Sequence, residues 1–152
     1  MIKNILNLGD AALYCDFGKE VNKEINSSVI RYFKTLRSKK IDGIINLTPS
    51  YNKLIISYDL KKTNYKDVKK ILENISIDQN EELSSKKIEI PVCCHETLSL
   101  DIRRLEEKLK LDREKIFENF FMNEYFCYMT GFIAGMPFLG DLKNEMRLKR
   151  LE

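Results

Sequence analysis

The feature that most constrains the fold is a switch between two hydrophobic periods within the first half of the chain. Over Asn22–Arg37 the apolar residues recur at helical spacing and share one face. They are Ile25, Val29, Tyr32, Phe33 and Leu36. Over Lys53–Asp59, by contrast, Leu54, Ile56 and Tyr58 alternate to one side, which predicts a strand. A chain with both patterns is expected to pack helices against a sheet.

The neighbouring segments complete a small domain. "AALYCDFG", Ala11–Gly18, predicts a strand closed by glycine, and "GIINLTPS", Gly43–Ser50, predicts a hairpin with Lys53–Asp59. Thr63 or Asn64 can cap a second helix with an inward apolar face. That face comprises Tyr65, Val68, Ile71, Leu72 and Ile75. The order strand, helix, hairpin, helix predicts an α+β sandwich with its helices on one face of the sheet.

A polar, aperiodic segment, Ser76–Lys87, separates this region from the rest and predicts a linker. We place the domain boundary there, giving domains 1–85 and 86–152. "IEIPVCC", residues 88–94, reads as a strand, and Ser99 and Asp112 are expected to cap two helices. The second of these helices would turn Ile116, Phe117, Phe120 and Phe121 inward, and "YFCYMT", residues 125–130, predicts a further strand.

Composition fits a globular protein, since 43% of the residues are hydrophobic. No apolar run approaches the roughly 18 to 20 residues that span a bilayer, and no signal-peptide pattern is present, so we expect a cytoplasmic protein without a membrane partner. The formal net charge is +3, and the lysines alternate with acidic residues, as at Lys66, Asp67 and Lys69. That pattern is typical of a solvated helix face, so we expect no nucleic-acid partner.

The side chains offer little chemistry of their own. His95 is the one histidine, and Cys93, Cys94 and Glu96 adjoin it without the gaps of a metal site, so we expect a loop histidine and no metal. Neighbours on an extended segment point to opposite sides, which argues against a catalytic Cys–His pair. No G-x-x-x-x-G-K-[ST] loop occurs, which excludes ATP binding by a Walker-type loop.

The least ordinary stretch is "GFIAGMPFLGDL", Gly131–Leu142, in which three glycines stand among bulky apolar residues. Two interpretations are open. It can be a tight turn whose Phe132, Met136, Phe138 and Leu139 fill a core, or a nest whose backbone N–H groups bind an anionic or small polar ligand. Residue types alone favour the first.

Four segments, in order, resemble one family. "LGDAALYCDFG", "GIINLTPSYNKLIISYD", "IEIPVCC" and "EYFCYMTGFIAGMPFLGDL" are similar to the motifs of the B subunit of 5-oxoprolinase, a carboxyltransferase-domain (subdomains C and D) family that includes the sporulation kinase A inhibitor and allophanate hydrolase subunit 1. The resemblance implies an α+β N-terminal domain followed by the first part of a cyclophilin-like β-barrel domain. The rest of that barrel would follow Glu152, so we expect a truncated chain that associates or is poorly ordered after about residue 130.

The resemblance also implies a function. Such proteins take part in the ATP-dependent hydrolysis of 5-oxoproline to L-glutamate, together with a carboxyltransferase-domain partner, the C subunit of 5-oxoprolinase, and with its A subunit. ATP would be used by the complex. The alternatives are a non-catalytic regulatory module of the kinase A inhibitor type and allophanate hydrolase subunit 1, and a homo-oligomer is left open.

The family's glycine-rich motif and its two preceding aromatic positions give the candidate substrate or loop residues, while the catalytic residues remain unknown. These candidates are Tyr125, Tyr128, Gly131, Phe132, Gly135 and Pro137. Gly9, Asp10, Pro49 and Tyr51 match the family in the N-terminal domain, where structural roles are expected.

The chain also departs from the family's pattern. Ala134, Met136 and Phe138 stand where the motif has proline, phenylalanine and tyrosine, and Cys94 replaces a tyrosine. Phe120 occupies the position of a histidine, so any proton transfer that needs that imidazole would be lost.

Overall fold

The computed structural model describes residues 1–78 and 82–149. The elements, in chain order, are β1 (Asn4–Asn7), β2 (Ala12–Asp16), α1 (Lys23–Lys39), β3 (Ile44–Pro49), β4 (Lys53–Tyr58), α2 (Tyr65–Asn74), α3 (Ile102–Leu109), α4 (Arg113–Phe121), β5 (Phe126–Thr130) and β6 (Pro137–Gly140). One-turn 3₁₀ helices cover Glu96–Leu98 and Asn144–Met146. The mixed content of helix and strand confirms the predicted α+β class.

The chain forms two compact units. The first comprises the described residues of Met1–Ser84 together with Tyr128–Phe138, and the second comprises Ser85–Cys127 with the described residues after Phe138. The segment Tyr128–Phe138 therefore groups with the N-terminal elements. In the predicted division it belongs to the second domain, residues 86–152. The two-domain division at residue 85 stays a prediction.

The first unit is built on an antiparallel four-stranded sheet in the order β1-β2-β4-β3. The predicted β3–β4 hairpin is confirmed. Strand β1, which has four residues and two asparagines, was not predicted. β3 is an edge strand, and a bulge between Ile44 and Asn46 shifts its pairing with β4. The bulge leaves Ile45 70% exposed.

Helices α1 and α2 cover one face of this sheet, as the helical periodicity predicts. Asn22 caps α1 by accepting a hydrogen bond from the Ile25 amide, and Asn64 caps α2 by accepting from the amides of Lys66 and Asp67. Together the helices and strands bury one continuous apolar core. Its members are Leu13, Cys15, Phe17, Val29, Tyr32, Leu36, Leu54, Ile56, Tyr58, Val68 and Leu72.

Two side chains of β2 have pKa values that shift in opposite directions on the two faces of the sheet. Cys15 points into the core, and burial raises the pKa of its thiol to about 12. Asp16, on the opposite face, accepts hydrogen bonds from Lys53 Nζ and from the Gly18 amide. Lys53 lowers the pKa of the Asp16 carboxyl most, and the Gly18 amide lowers it further.

The second unit contains α3 and α4, and its core is small. Ile102, Ile116 and Met146 are buried there, with five partly buried apolar neighbours. Asp112 caps α4 as predicted, by accepting a hydrogen bond from the Lys115 amide. The predicted cap of α3 is wrong, because Asp101 precedes α3, with no side-chain cap bond, and Ser99 instead ends the 3₁₀ turn.

Two further sequence predictions fail in the second unit. Residues 88–94 form no strand, and Ile88, Ile90 and Val92 are exposed. Pro91 lacks an N–H, and none of the described strands pairs with the segment. Phe120 and Phe121 are exposed on α4 rather than turned inward. Within the two described ranges, no helix has the length and apolar character needed to cross a membrane.

Candidate functional site

The hairpin formed by β5 and β6 carries most of the predicted site residues. The two strands form a separate two-stranded sheet, joined by the turn Gly131–Met136. On its part within the first unit lie Tyr128, Gly131, Phe132, Gly135 and Pro137. The structure therefore brings these five candidates together on one supersecondary element.

The two glycines of the turn have different surroundings. The Gly131 amide donates to the Met136 carbonyl at 3.1 Å, and the Met136 amide donates to the Ile133 carbonyl at 3.2 Å. A Cβ on Gly131 would lie 3.2 Å from Met129 Cε, so this glycine relieves crowding. Gly135 has open space around it but a φ of +80°, a conformation that glycine adopts without strain.

The apolar side chains of the turn face solvent. Phe132 is 91% exposed and adopts a φ of +68°, and Ile133 is 63% exposed. Met136 and Leu139 are also exposed, while Phe138 is half-buried. The interpretation in which these side chains fill a core is therefore wrong for Phe132, Met136 and Leu139.

The base of the hairpin, unlike its turn, is packed on the N-terminal elements. Tyr128 is only 3% exposed, and its ring lies 5.8 Å from that of Tyr51. The Tyr51 ring also meets Phe138 edge-on, with ring centroids 6.2 Å apart. Ser50 Oγ donates to the sulfur of Met129 at 3.3 Å. Through these contacts the β3–β4 turn supports both strands of the hairpin.

A buried amide completes this support. Asn26, on α1, donates from Nδ2 to the carbonyls of Ser50, Tyr51 and Tyr128 at 3.2, 3.0 and 3.1 Å. Asn26 was not among the predicted site residues, although the sequence carries a signal for it. It is a polar residue three positions before Val29 on the apolar stripe of an amphipathic helix, where only a satisfied polar group is tolerated.

Tyr125 belongs to the second unit. Its hydroxyl donates to the carbonyl of Phe120 at 2.9 Å, and the two rings lie 5.2 Å apart. Phe120 also contacts Phe121 edge-on. Phe120 is thus part of an aromatic cluster with Phe121 and Tyr125.

His95 lies in a loop and has a local role. Its Nδ1 is 3.3 Å from the Thr97 amide nitrogen and 2.9 Å from Thr97 Oγ1, so the ring caps the 3₁₀ turn that follows. Cys93 is exposed and Cys94 half-buried beside it. Among residues 1–78 and 82–149, no three His, Cys, Asp or Glu side chains are grouped so that they could hold a metal ion.

Comparison with known proteins places this architecture in a family. Residues 3–152 match the family described as carboxyltransferase domain, subdomain C and D. The chain is 27% identical over 158 residues to the B subunit of 5-oxoprolinase from Bacillus subtilis (strain 168), which covers 96% of this chain and 66% of that protein. The chain thus spans slightly less than two thirds of this relative.

Solved structures show the same fold. The crystal structure of TTHA0988 in space group P212121 is 25% identical with a TM-score of 0.78, over 93% of this chain and 28% of TTHA0988. The form in space group P6522 is 24% identical with a TM-score of 0.73, over 92% of this chain and 26% of that one. Since the family match extends over almost the whole sequence, the chain belongs to the family of the carboxyltransferase domain, subdomains C and D.

Proposed function

We propose that this chain is one component of an ATP-dependent 5-oxoprolinase and supplies the glycine-rich turn Gly131–Met136 to a site shared with a carboxyltransferase-domain partner. The observation that carries the proposal is the similarity, over 96% of this chain, to a protein named as the B subunit of 5-oxoprolinase. The exposed turn on a packed base supports it, because a shared site needs a surface that the partner can reach.

The chemistry assigns different tasks to the components of the complex. Opening the lactam ring consumes one water, and coupling it to ATP consumes a second, which leaves glutamate, ADP and phosphate. The stretch Tyr125–Leu142 contains no lysine or arginine. It does not fit a triphosphate by charge, so we assign ATP binding and the activation of the lactam to the partner proteins.

The turn suits recognition of the small anionic substrate instead. Backbone N–H groups in a turn with left-handed residues can surround a carboxylate or a developing oxyanion without any charged side chain. Phe132 and Ile133 would exclude water from that site once a partner covers them. Tyr128 and Pro137 would act by fixing the two ends of the turn, and Tyr125 stays a candidate contact.

The test is co-expression with the A and C subunits of 5-oxoprolinase, followed by measurement of ATP-dependent glutamate formation from 5-oxoproline. The diagnostic variant is Gly135→Ala, and the matched control is Gly9→Ala. Both glycines have a left-handed φ, +80° and +64°, and both have open space around them, so alanine introduces similar backbone strain at each.

We expect Gly135→Ala to lower kcat/KM by about tenfold or more, because it moves the turn, and Gly9→Ala to leave it near the wild-type value. Absence of ATP-dependent turnover by the wild-type complex would refute the proposal. Equal losses in the two variants would remove the turn from the site.

A second candidate is a non-catalytic regulatory module, and one observation favours it. Phe120 stands where the resemblance implies a histidine, and the turn exposes Phe132 and Ile133 without any titratable side chain. Such a surface suits binding of a protein rather than proton transfer. Binding to a sensor kinase without turnover of 5-oxoproline would favour this function. ATP-dependent turnover of allophanate instead would indicate the related hydrolase.

A further inference from the structure

The side chain of Asn26 joins two parts of the chain that lie 102 positions apart. It is only 3% exposed, and its Nδ2 lies within 3.2 Å of three backbone carbonyl oxygens. The amide orientation is fixed by chemistry, because the alternative would place Oδ1 against three other acceptors. Asn26 therefore acts at this point purely as a donor.

We infer that Asn26 is a positioning residue, which fixes where the turn Gly131–Met136 begins within the first unit by holding the carbonyl of Tyr128. Gly131 follows Tyr128 by three residues, directly after β5 ends, so the position of that carbonyl sets the start of the turn. Its effect on catalysis rests on the proposed function, but its effect on the hairpin does not.

The aromatic contacts at the base of the hairpin cannot set this position alone. The Tyr51 ring packs on Tyr128 and Phe138 with centroids 5.8 and 6.2 Å apart, and such aromatic contacts tolerate small displacements. Hydrogen bonds are shorter than these aromatic contacts and depend on direction. By binding two carbonyls of the β3–β4 turn and one of β5, Asn26 ties the supporting turn and the hairpin to the same point on α1.

A purely structural role predicts a different outcome, since losing a buried hydrogen-bonded amide destabilises the whole unit. The positioning role and the purely structural role differ in where the structure opens. Positioning predicts local opening of the hairpin beyond any change in global stability, whereas general destabilisation predicts equal changes throughout the unit.

The experiment measures amide hydrogen exchange of the full chain by mass spectrometry, in peptides from Tyr128–Phe138 and from β4. The variants are Asn26→Ala and Asn26→Leu, whose side chain is similar in size but has no donor. If Asn26→Leu fails to fold, Asn26→Ser, whose hydroxyl donates one hydrogen bond, takes its place. The matched control is Val29→Ala, which removes buried atoms of the core one turn further along α1.

We expect exchange within Tyr128–Phe138 to accelerate by about tenfold or more in the Asn26 variants relative to β4, and to track β4 in Val29→Ala. In the reconstituted complex, kcat should fall more than KM rises for the Asn26 variants only. Parallel exchange of hairpin and β4 peptides in every variant would overturn the inference. A wild-type complex without turnover, together with selective hairpin opening, would remove the proposed function and keep the positioning role.

Discussion

The two compact units bury their apolar residues very differently. In the first, strands and helices from the whole N-terminal half contribute to one core that runs from Leu13 to Leu72. In the second, the buried cluster among described residues consists of Ile102, Ile116 and Met146. Many apolar side chains there are exposed instead. They include Ile88, Ile90, Val92, Leu98, Leu100, Phe120, Phe121 and Met122.

The difference shows what a sheet contributes to a small unit. The four-stranded sheet presents one broad apolar face, and two helices can cover it together. Helices α3 and α4 have eight and nine residues and, in the part of the chain that the structure describes, pack mainly against each other and the turn Asn144–Met146. Helices of that length are marginal by themselves, so we expect the first unit to supply most of the stability.

The sharpest test compares Ile56→Ala with Ile116→Ala, two substitutions of the same buried residue type. Ile56 lies in the centre of the sheet, where its surroundings cannot collapse into a cavity, so we expect a loss of about 3–4 kcal/mol in the free energy of unfolding. For Ile116 we expect about 1–2 kcal/mol, because its small cluster can relax. Urea denaturation followed by circular dichroism measures both, and equal losses would contradict the comparison.

A smaller effect is expected from Asp16→Asn on the open face of the sheet. Because the folded-state pKa of Asp16 is lowered, its charge stabilises the fold at pH values above its unfolded pKa of about 3.9, and this contribution is lost as pH falls through the folded value. After allowance for solvent screening, we expect a loss of about 1 kcal/mol near pH 7 that shrinks towards pH 2–3.

Urea denaturation at a series of pH values measures this difference. The control is Asp42→Asn, which removes a fully exposed partner of Lys62 and should leave stability unchanged within error. A difference between wild type and Asp16→Asn that is the same at neutral and acidic pH would show that charge is not its cause.

The third test measures how accessible the cysteine thiols are in the folded protein. Cys15 is buried with its thiol pKa raised to about 12, whereas Cys93 and Cys127 are exposed. With a thiol reagent near pH 8, we expect Cys93 and Cys127 to react within minutes and Cys15 only after unfolding. Cys93→Ser and Cys127→Ser assign the fast phases. Equally fast labelling of Cys15 in native buffer would mean that the first unit opens readily.

Sequence alone predicted the parts of the fold that depend on local rules. The inward face of α1, the alternation of β4, the cap Asp112 and the choice of Thr63 or Asn64 as the cap of α2 all follow from period and hydrogen-bonding chemistry within a few residues. Strand β5 and the glycine-rich turn after it were also predicted, because glycines among bulky residues mark a turn, whereas β6 was not.

Features that depend on distant partners were not predicted. Asn26 has its acceptors in other segments, and nothing near it in sequence shows them. Residues 88–94 have the composition of a strand, but a strand also needs a neighbour with which to pair. Phe120 and Phe121 fit a helical apolar face, yet a face is buried only where another element covers it.

The bulge in β3 has a consequence for contacts between molecules. An edge strand offers unpaired N–H and C=O groups to which a strand of another molecule can add. Here the extra residue, Ile45, interrupts the regular spacing near one end, and Pro49, which has no N–H to donate, terminates the other. An incoming strand could keep its register over only a few residues, so this edge is a poor template for sheet growth, and polymerisation through it is disfavoured.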